Sequence, residues 1–496
     1  MEAPLMTPDI LTAVGRPFLL GLVLALVLVP VSRMIARRVG MVAHPRHDRW
    51  HRQSVPLLGG VGIALATFLA AVASGIADDI PVLLSTVMVI FVVGLVDDVL
   101  AVKPFTKLIA QIALASTLVY FDYRLGWLDS RLLDSLLTML WVVGLTNAFN
   151  LLDNMDGLCG GTALVVSTTL IIGLLTGASQ DVAGPEVAFL AALAGAVAGF
   201  LVYNFPPASV FMGDCGALFL GFSLAALTLN NDGVRGSRSD VLSAIAAPVF
   251  VVLIPIFDTT LVTVMRLLSG RSPAMGGRDH SSHRLVAIGL SERNAVFVLW
   301  LLAAIGGAIG LTVRSATQGF SLLVGGLFVI LMAMFALYLG RVRVYEEAAE
   351  TLEVPSVTPI PGEFMYKTRV FEVLLDFGLI SASYYLATRL QFGDDEAYLR
   401  NAEVFYGSLP LVVAAQLVAF FAAGVYRGIW HYVTGRDAAR IVAGVVLAMA
   451  AAQTVMVFLS YLSADLRMVF LYYTGIAATL VILSRASMRV LARLFR

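Results

Sequence analysis

Fifteen long apolar stretches, each closed by polar residues, leave this 496-residue chain few folds to adopt. A run of about 17–25 apolar residues crosses the hydrocarbon of a bilayer as a helix. Only helices and closed barrels satisfy every backbone group at that depth. The stretches are continuous rather than alternating every second residue, which selects helices. They fall at 11–32, 56–77, 80–97, 106–122, 134–151, 160–178, 186–204, 213–230, 240–266, 295–314, 319–340, 370–390, 404–424, 438–462 and 467–484. Composition agrees: 59% of the residues are hydrophobic and 13% charged, where soluble domains carry about 25% charge. The expected fold is all-α, a polytopic membrane helical bundle of about eleven spans followed by a four-span domain. The segment MEAPLMTPDILTAVGR lacks the basic start of a cleavable signal, so 11–31 reads as a retained span. The 240–266 stretch is long enough to tilt or to break near Pro248 or Pro255.

Basic residues orient the bundle. With the N-terminus outside, the loop holding Arg33, Arg37, Arg38, Arg46, Arg49 and Arg52 lies in the cytoplasm. So do the Lys103/Lys107 loop, the 266–293 loop, the 341–369 segment and the C-terminal tail, which together hold most of the 33 Lys and Arg. The polar segment between the eleventh and twelfth spans contains Pro355, Pro359 and Pro361 and is too long for an ordinary helix connection. It divides the chain into a membrane domain over 1–342, a linker over 343–365 and a four-span domain over 366–496. Zero net charge and the lack of a basic low-complexity run argue against a nucleic-acid partner. Cys159 and Cys215 both sit in motifs placed in the cytosol, where a disulfide is not expected.

Polar motifs at the span ends carry the chemistry, and all face the same side. Asp97 and Asp98 close an apolar run; adjacent helical positions lie about 100° apart, so one carboxylate can meet a metal and the other a ligand. The bland alternative is a solvated helix end. In NAFNLLDNMDG, Asn147, Asn150, Asp153 and Asp156 recur every third residue and make one polar stripe suited to a nucleobase or ribose, against the alternative of an amphipathic helix end with a Gly cap. FMGDCG sets Asp214 between glycines at the start of a span, where it could instead cap that helix. The preceding YNFPPASV reads as a rigid re-entry loop. GRDHSSHRL combines Arg278, His280, His283 and Arg284, a set able to bind a diphosphate or merely to anchor the loop inside.

Acids, amides and two cationic loops on one face describe a site for a divalent metal, a diphosphate and a polar head group. Oxygen ligands without cysteine point to magnesium. No nucleotide-binding GxxxxGK[ST] loop, HExxH or GxSxG is present. A transporter or lipid flippase is the rival reading, but it would place acids near the midplane between repeats, and no repeat is visible.

In order along the chain, HPRHDRWHRQSVPLLGG, GLVDDVL, NAFNLLDNMDGLCGG, FMGDCGALFLG and the stretch from PIFDT to GRDHSSHRL resemble the polyprenyl-phosphate N-acetylhexosamine-1-phosphate transferases over residues 11–340. The resemblance implies transfer of a hexosamine phosphate from a UDP-sugar to undecaprenyl phosphate, with release of UMP, at the cytoplasmic face of a bacterial inner membrane. It implies Mg2+, with Mn2+ as the substitute, as cofactor. Asp97 and Asp98 are implied as the catalytic pair, Asp98 and Asp214 as metal ligands. Asn150, Asp153 and Asp156 are implied at the uridine end, His280 and His283 near the sugar diphosphate, and Arg52 where relatives use a basic residue; Asn147 and Arg278 join them as substrate-binding candidates through the polar stripe and the basic loop. Membrane lipid, a second copy or downstream glycan enzymes are the further partners expected. One departure stands out: members of the N-acetylglucosamine type usually carry His-x-His-His where this chain has His280-Ser281-Ser282-His283. The triple-His-Phe-Glu signature of the peptidoglycan branch is absent, which argues against a muramoyl-pentapeptide donor. From residue 366 onward the chain resembles the four-span membrane region of polysaccharide-biosynthesis nucleotide-sugar dehydratases, for which partner docking or dimer stabilisation rather than catalysis is expected.

Overall fold

The computed structural model describes residues 11–43, 54–176, 184–229, 241–269, 277, 279–315, 318–342, 361–392, 395–427, 435–458 and 464–494. Fourteen of the fifteen expected spans fall on one helix each and the 240–266 stretch on two, confirming the all-α membrane bundle. Among the described residues nine helices are long and apolar enough to cross a membrane alone, and a bent pair makes a tenth. The helices are α1 (Arg16–Val39), α2 (Gly59–Ala73), α3 (Pro81–Leu100), α4 (Pro104–Tyr120), α5 (Arg131–Leu152), α6 (Leu158–Leu175), α7 (Pro185–Asn204), α8 (Gly213–Leu229), α9 (Val241–Val251), α10 (Leu253–Leu268), α11 (Ser281–Ala287), α12 (Glu292–Ser315) and α13 (Gln318–Gly340). After them come α14 (Pro361–Gln391), α15 (Asp395–Ala422), α16 (Gly435–Phe458) and α17 (Ala464–Leu494). A two-residue antiparallel pair, β1 (Val42–Ala43) and β2 (Val55–Pro56), joins the two ends of the first basic loop.

The expected break in the 240–266 stretch is real: α9 and α10 meet at 83°. Pro255 has no N–H, and its ring would collide with the carbonyl of Val251, four residues earlier. The helix therefore stops at Val251 and restarts at Leu253, with Pro248 accommodated inside α9.

The chain forms two compact units. The first takes in Met1–Ala101, Leu125–Trp127 and Gly144–Val354. Its helices pack through small residues, the usual device where lipid removes any hydrophobic drive for helix association. Gly21 of α1 meets Ala192 of α7 so closely that a Cβ would lie 2.2 Å from the Ala192 carbonyl oxygen; Gly199 meets Ala25 in the same way. Helix α8 is apolar all round, and every residue from Cys215 to Leu229 is buried, as such a pattern requires. It lies against α2, α3 and α6, with the Phe219 ring 5.8 Å from Phe68 and 6.4 Å from Phe91. A second cluster, including Phe250, Ile254, Leu299 and Met332, joins α9, α10, α12 and α13.

The second unit takes in Val102–Arg124, Leu128–Val143 and Pro355–Arg496. Helix α4 and the first part of α5 thus belong with the C-terminal helices. Phe105, Ile109 and Ile112 of α4 share one core with Val373, Val412, Val445 and Val469, and the Arg369 guanidinium lies 5.5 Å over the Phe105 ring. Polar ties cross between helices inside this core. Arg485 Nη2 donates to Asp376 Oδ2 at 2.6 Å, Tyr384 OH and Ser408 Oγ lie 2.6 Å apart, and Tyr473 OH donates to Gln416 Oε1 at 3.0 Å. Such ties fix which helix faces which where apolar packing alone is permissive.

Close backbone approach gives a direct test. A Cβ on Gly60 would lie 2.2 Å from the Gly216 nitrogen, while Gly326 has nothing within 4 Å. Gly60→Ala is expected to cost about 1–3 kcal/mol and to lower the melting temperature in detergent, whereas Gly326→Ala should leave it unchanged or raise it.

Candidate active site

The site grows from the start of α8. Seventeen residues rise about 25 Å, less than the roughly 30 Å of hydrocarbon, so the first amides of α8 need acceptors from the protein itself. Asp214 is the capping candidate in the sequence, but the structure gives the role to Asp98. Its Oδ1 accepts from the Asp214 N–H at 2.8 Å and its Oδ2 from the Cys215 N–H at 3.0 Å. Asp98 reaches them because Gly94, one turn earlier on α3, lets the two helices touch: a Cβ there would lie 2.6 Å from Cys215 Cα. Gly213 is required twice over. Its φ is +74°, and a Cβ would lie 2.8 Å from the Asp98 carboxylate.

The second carboxylate is held by α5. Asn150 Nδ2 donates to Asp214 Oδ1 at 3.0 Å, so Asp98, Asp214 and Asn150 form one connected group. The PLLGG segment braces it from below: Gly59 and Gly60 donate their N–H groups to the carbonyls of Phe211 and Met212 at 2.9 and 2.8 Å. Asp97, beside Asp98, is buried, and its carbonyl closes α3 by accepting from Ala101.

The NMDG turn is tied to the diproline loop. Gly157 N–H donates to Asn204 Oδ1 at 2.9 Å, Asn204 Nδ2 donates to the Val210 carbonyl at 2.9 Å, and Ala208 N–H donates to Asp156 Oδ2 at 2.8 Å. Arg293 of α12 donates through Nε to the Pro206 carbonyl at 2.9 Å, with its guanidinium 5.9 Å over the Phe205 ring. Asn147 and Asp153 are half-buried on the same stretch as Asn150 and Asp156.

Asp258, on α10 just after the break, organises the histidine loop. Its Oδ1 accepts from the Ser281 N–H at 2.7 Å and from Ser281 Oγ at 2.6 Å, capping α11, while its Oδ2 meets His280 Nδ1 at 2.7 Å. A carboxylate only accepts, so the proton sits on Nδ1 and the ring orientation is fixed. The His283 ring lies 6.0 Å from His280, edge to face. Ser282 Oγ crosses to the NMDG turn and donates to Asn154 Oδ1 at 2.6 Å.

Two basic residues have other work. Arg284, grouped with the diphosphate-binding loop on sequence, is buried and donates through Nη1 to the carbonyls of Leu339 and Val342 at 2.8 and 2.9 Å, closing the end of α13. Arg266 pairs with Asp279 at 3.0 Å, both buried. Arg52 and Arg278 lie outside the described residues, as do His44, His47, His51 and Arg271. Asn204, Ser282 and Arg293 escape a reading by motif. Asn204 leaves a trace as an amide ending an otherwise apolar span, and Ser282 as part of the departure in the histidine motif.

Among the described residues no three His, Cys, Asp or Glu side chains are grouped as a protein-only metal cage. Asp98 and Asp214 instead form an acidic pair, the donor set that suits magnesium completed by phosphate and water.

Fold and site together define a multi-pass membrane enzyme whose acids gather at helix ends. The sequence profile of glycosyl transferase family 4 matches residues 80–231. A Bacillus subtilis protein named a probable undecaprenyl-phosphate N-acetylglucosaminyl 1-phosphate transferase is 32% identical over 342 residues, 66% of this chain and 92% of that protein. A Mycolicibacterium smegmatis decaprenyl-phosphate N-acetylglucosaminephosphotransferase is 34% identical over 305 residues, 55% of this chain and 75% of its own. A phospho-N-acetylmuramoyl-pentapeptide-transferase of Limosilactobacillus reuteri is 31% identical over 216 residues, 39% of this chain and 67% of its own. The chain belongs to glycosyl transferase family 4, as its motifs imply.

Asp98→Asn would turn one acceptor oxygen into a donor facing the N–H groups of α8. Leaving a buried donor unmet costs about 1–3 kcal/mol, so the detergent melting temperature should fall. Asp214→Asn keeps the oxygen that Asn150 needs and should leave it unchanged.

Proposed function

We propose that the protein transfers N-acetylglucosamine 1-phosphate from UDP-N-acetylglucosamine to undecaprenyl phosphate, releasing UMP, at the cytoplasmic face of a bacterial cytoplasmic membrane. The product would start a cell-envelope polysaccharide. The family and the named activities of the relatives support this reading. The observation that carries it is the pair Asp98 and Asp214 fixed at the mouth of α8 by backbone amides and Asn150.

An oxygen of the lipid phosphate attacks the β-phosphorus of the donor. The bond from that phosphorus to the bridging oxygen breaks, and UMP leaves with the electron pair. A phosphate monoester is largely ionised near neutral pH, so the protein has little base chemistry to do. Its task is to bring two anions together in line. Asp98 and Asp214 would hold the magnesium, which when bound neutralises phosphate charge and steadies the leaving group. Both oxygens of Asp98 already accept amide hydrogens, which fixes its carboxylate in place and makes it an organiser. Contact with the acceptor phosphate then falls to Asp97. Asn147, Asn150, Asp153 and Asp156 take the uridine end. His280, with Nδ1 held by Asp258, turns Nε2 to the diphosphate beside His283, and Arg52 and Arg278 add positive charge.

Purified protein with undecaprenyl phosphate and a panel of UDP-sugars is expected to release UMP with UDP-N-acetylglucosamine. EDTA should abolish release, and added Mg2+ should restore it. Asp214→Asn should reduce turnover about 100-fold or more in a protein that still folds. Release with a different hexosamine would replace the donor, and silence across the panel would end the reading.

A further inference from the structure

Two substrate-facing motifs far apart in sequence meet at a single bond between side chains. Ser282 Oγ donates to Asn154 Oδ1 at 2.6 Å, across 128 residues. Both ends are prepared for it. The Asn154 amide is turned by its own nitrogen, which donates to the Leu151 carbonyl at 2.8 Å and so points the oxygen outward. Ser282 is fully buried in the first turn of α11, and that turn is fixed by Asp258 through Ser281 and His280.

We infer that Ser282 and Asn154 are a positioning pair that sets the spacing between the acidic NMDG turn and the histidine loop, and so fixes donor binding. The pair does not touch the reacting atoms. It acts through its neighbours, Asp153 and Asp156 on one side and His280 and His283 on the other. This rests on the proposed roles of those motifs at the uridine and diphosphate ends of one donor. A bond that holds both ends to the length of the bound donor removes a cost the donor would otherwise meet on binding. Its loss therefore weakens donor binding more than it slows the chemical step.

The test is a double-mutant cycle on the full-length protein, following UMP release while UDP-N-acetylglucosamine is varied. Ser282→Ala and Asn154→Ala are each expected to raise KM for the donor about three- to tenfold, with kcat changed less than about threefold. The double variant should be no worse than the poorer single one, as shared loss of one bond requires. Ser282→Thr, which keeps the hydroxyl, should restore KM. Single variants within twofold of the wild-type KM would overturn the pairing, as would single effects that multiply or a loss confined to kcat. Wild-type protein in the same assay separates the two levels: if it releases no UMP, the proposed function has failed rather than the pair.

Discussion

A short helix buried from Cys215 to Leu229 cannot leave its first amides to water, and most of this site follows from how that need is met. The acceptor comes from a different helix, so Asp98 must approach α8 at hydrogen-bond distance. That forces glycine at 94 and 213, where any side chain would occupy the space of the other helix or of the carboxylate itself. Gly60 and Gly216 repeat the requirement one layer away. The positive end of the α8 dipole stabilises the negative charge there, so the acid that builds the fold is already in place for chemistry. Under the proposed mechanism, packing and catalysis therefore share residues, and selection on one cannot be separated from selection on the other.

Several other polar groups are held by protein partners before any substrate arrives. Asn204 joins the turn after α5 to the approach to α8, Asp258 joins the broken helix to the histidine loop, and Arg284 closes the end of α13. Polar groups in a low-dielectric interior are costly when unmet and rigid when met. A reaction that needs positioning more than proton transfer benefits from that rigidity.

The sequence made the helices and the class of site legible, but not the pairings. Apolar length located the spans, and the prolines at 248 and 255 marked the break without choosing between them, because both effects are local. The residues of the acidic stripe were visible by their spacing of three. Which acid caps α8 was not, since Asp98 and Asp214 are 116 residues apart and either carboxylate could serve. Arg284 looked like a phosphate ligand because charge and loop position cannot reveal carbonyls 55 residues away. Asn154 and Ser282 lie inside motifs that the sequence displays, but nothing in it joins them across 128 residues.

The core of the second unit bears on how such a chain could have been assembled. Helix α4 lies early in the sequence, yet its Phe105, Ile109 and Ile112 are packed among helices that follow residue 361. The Bacillus subtilis relative is matched over 92% of its length by only 66% of this chain. In a bilayer, acyl chains cover an apolar helix face nearly as well as another helix does. A helix of this kind can therefore serve a shorter ancestor with lipid as its neighbour and later trade that lipid for protein. Fusion of an extra membrane segment then requires no new hydrophobic surface, only the displacement of solvent that happens to be fat.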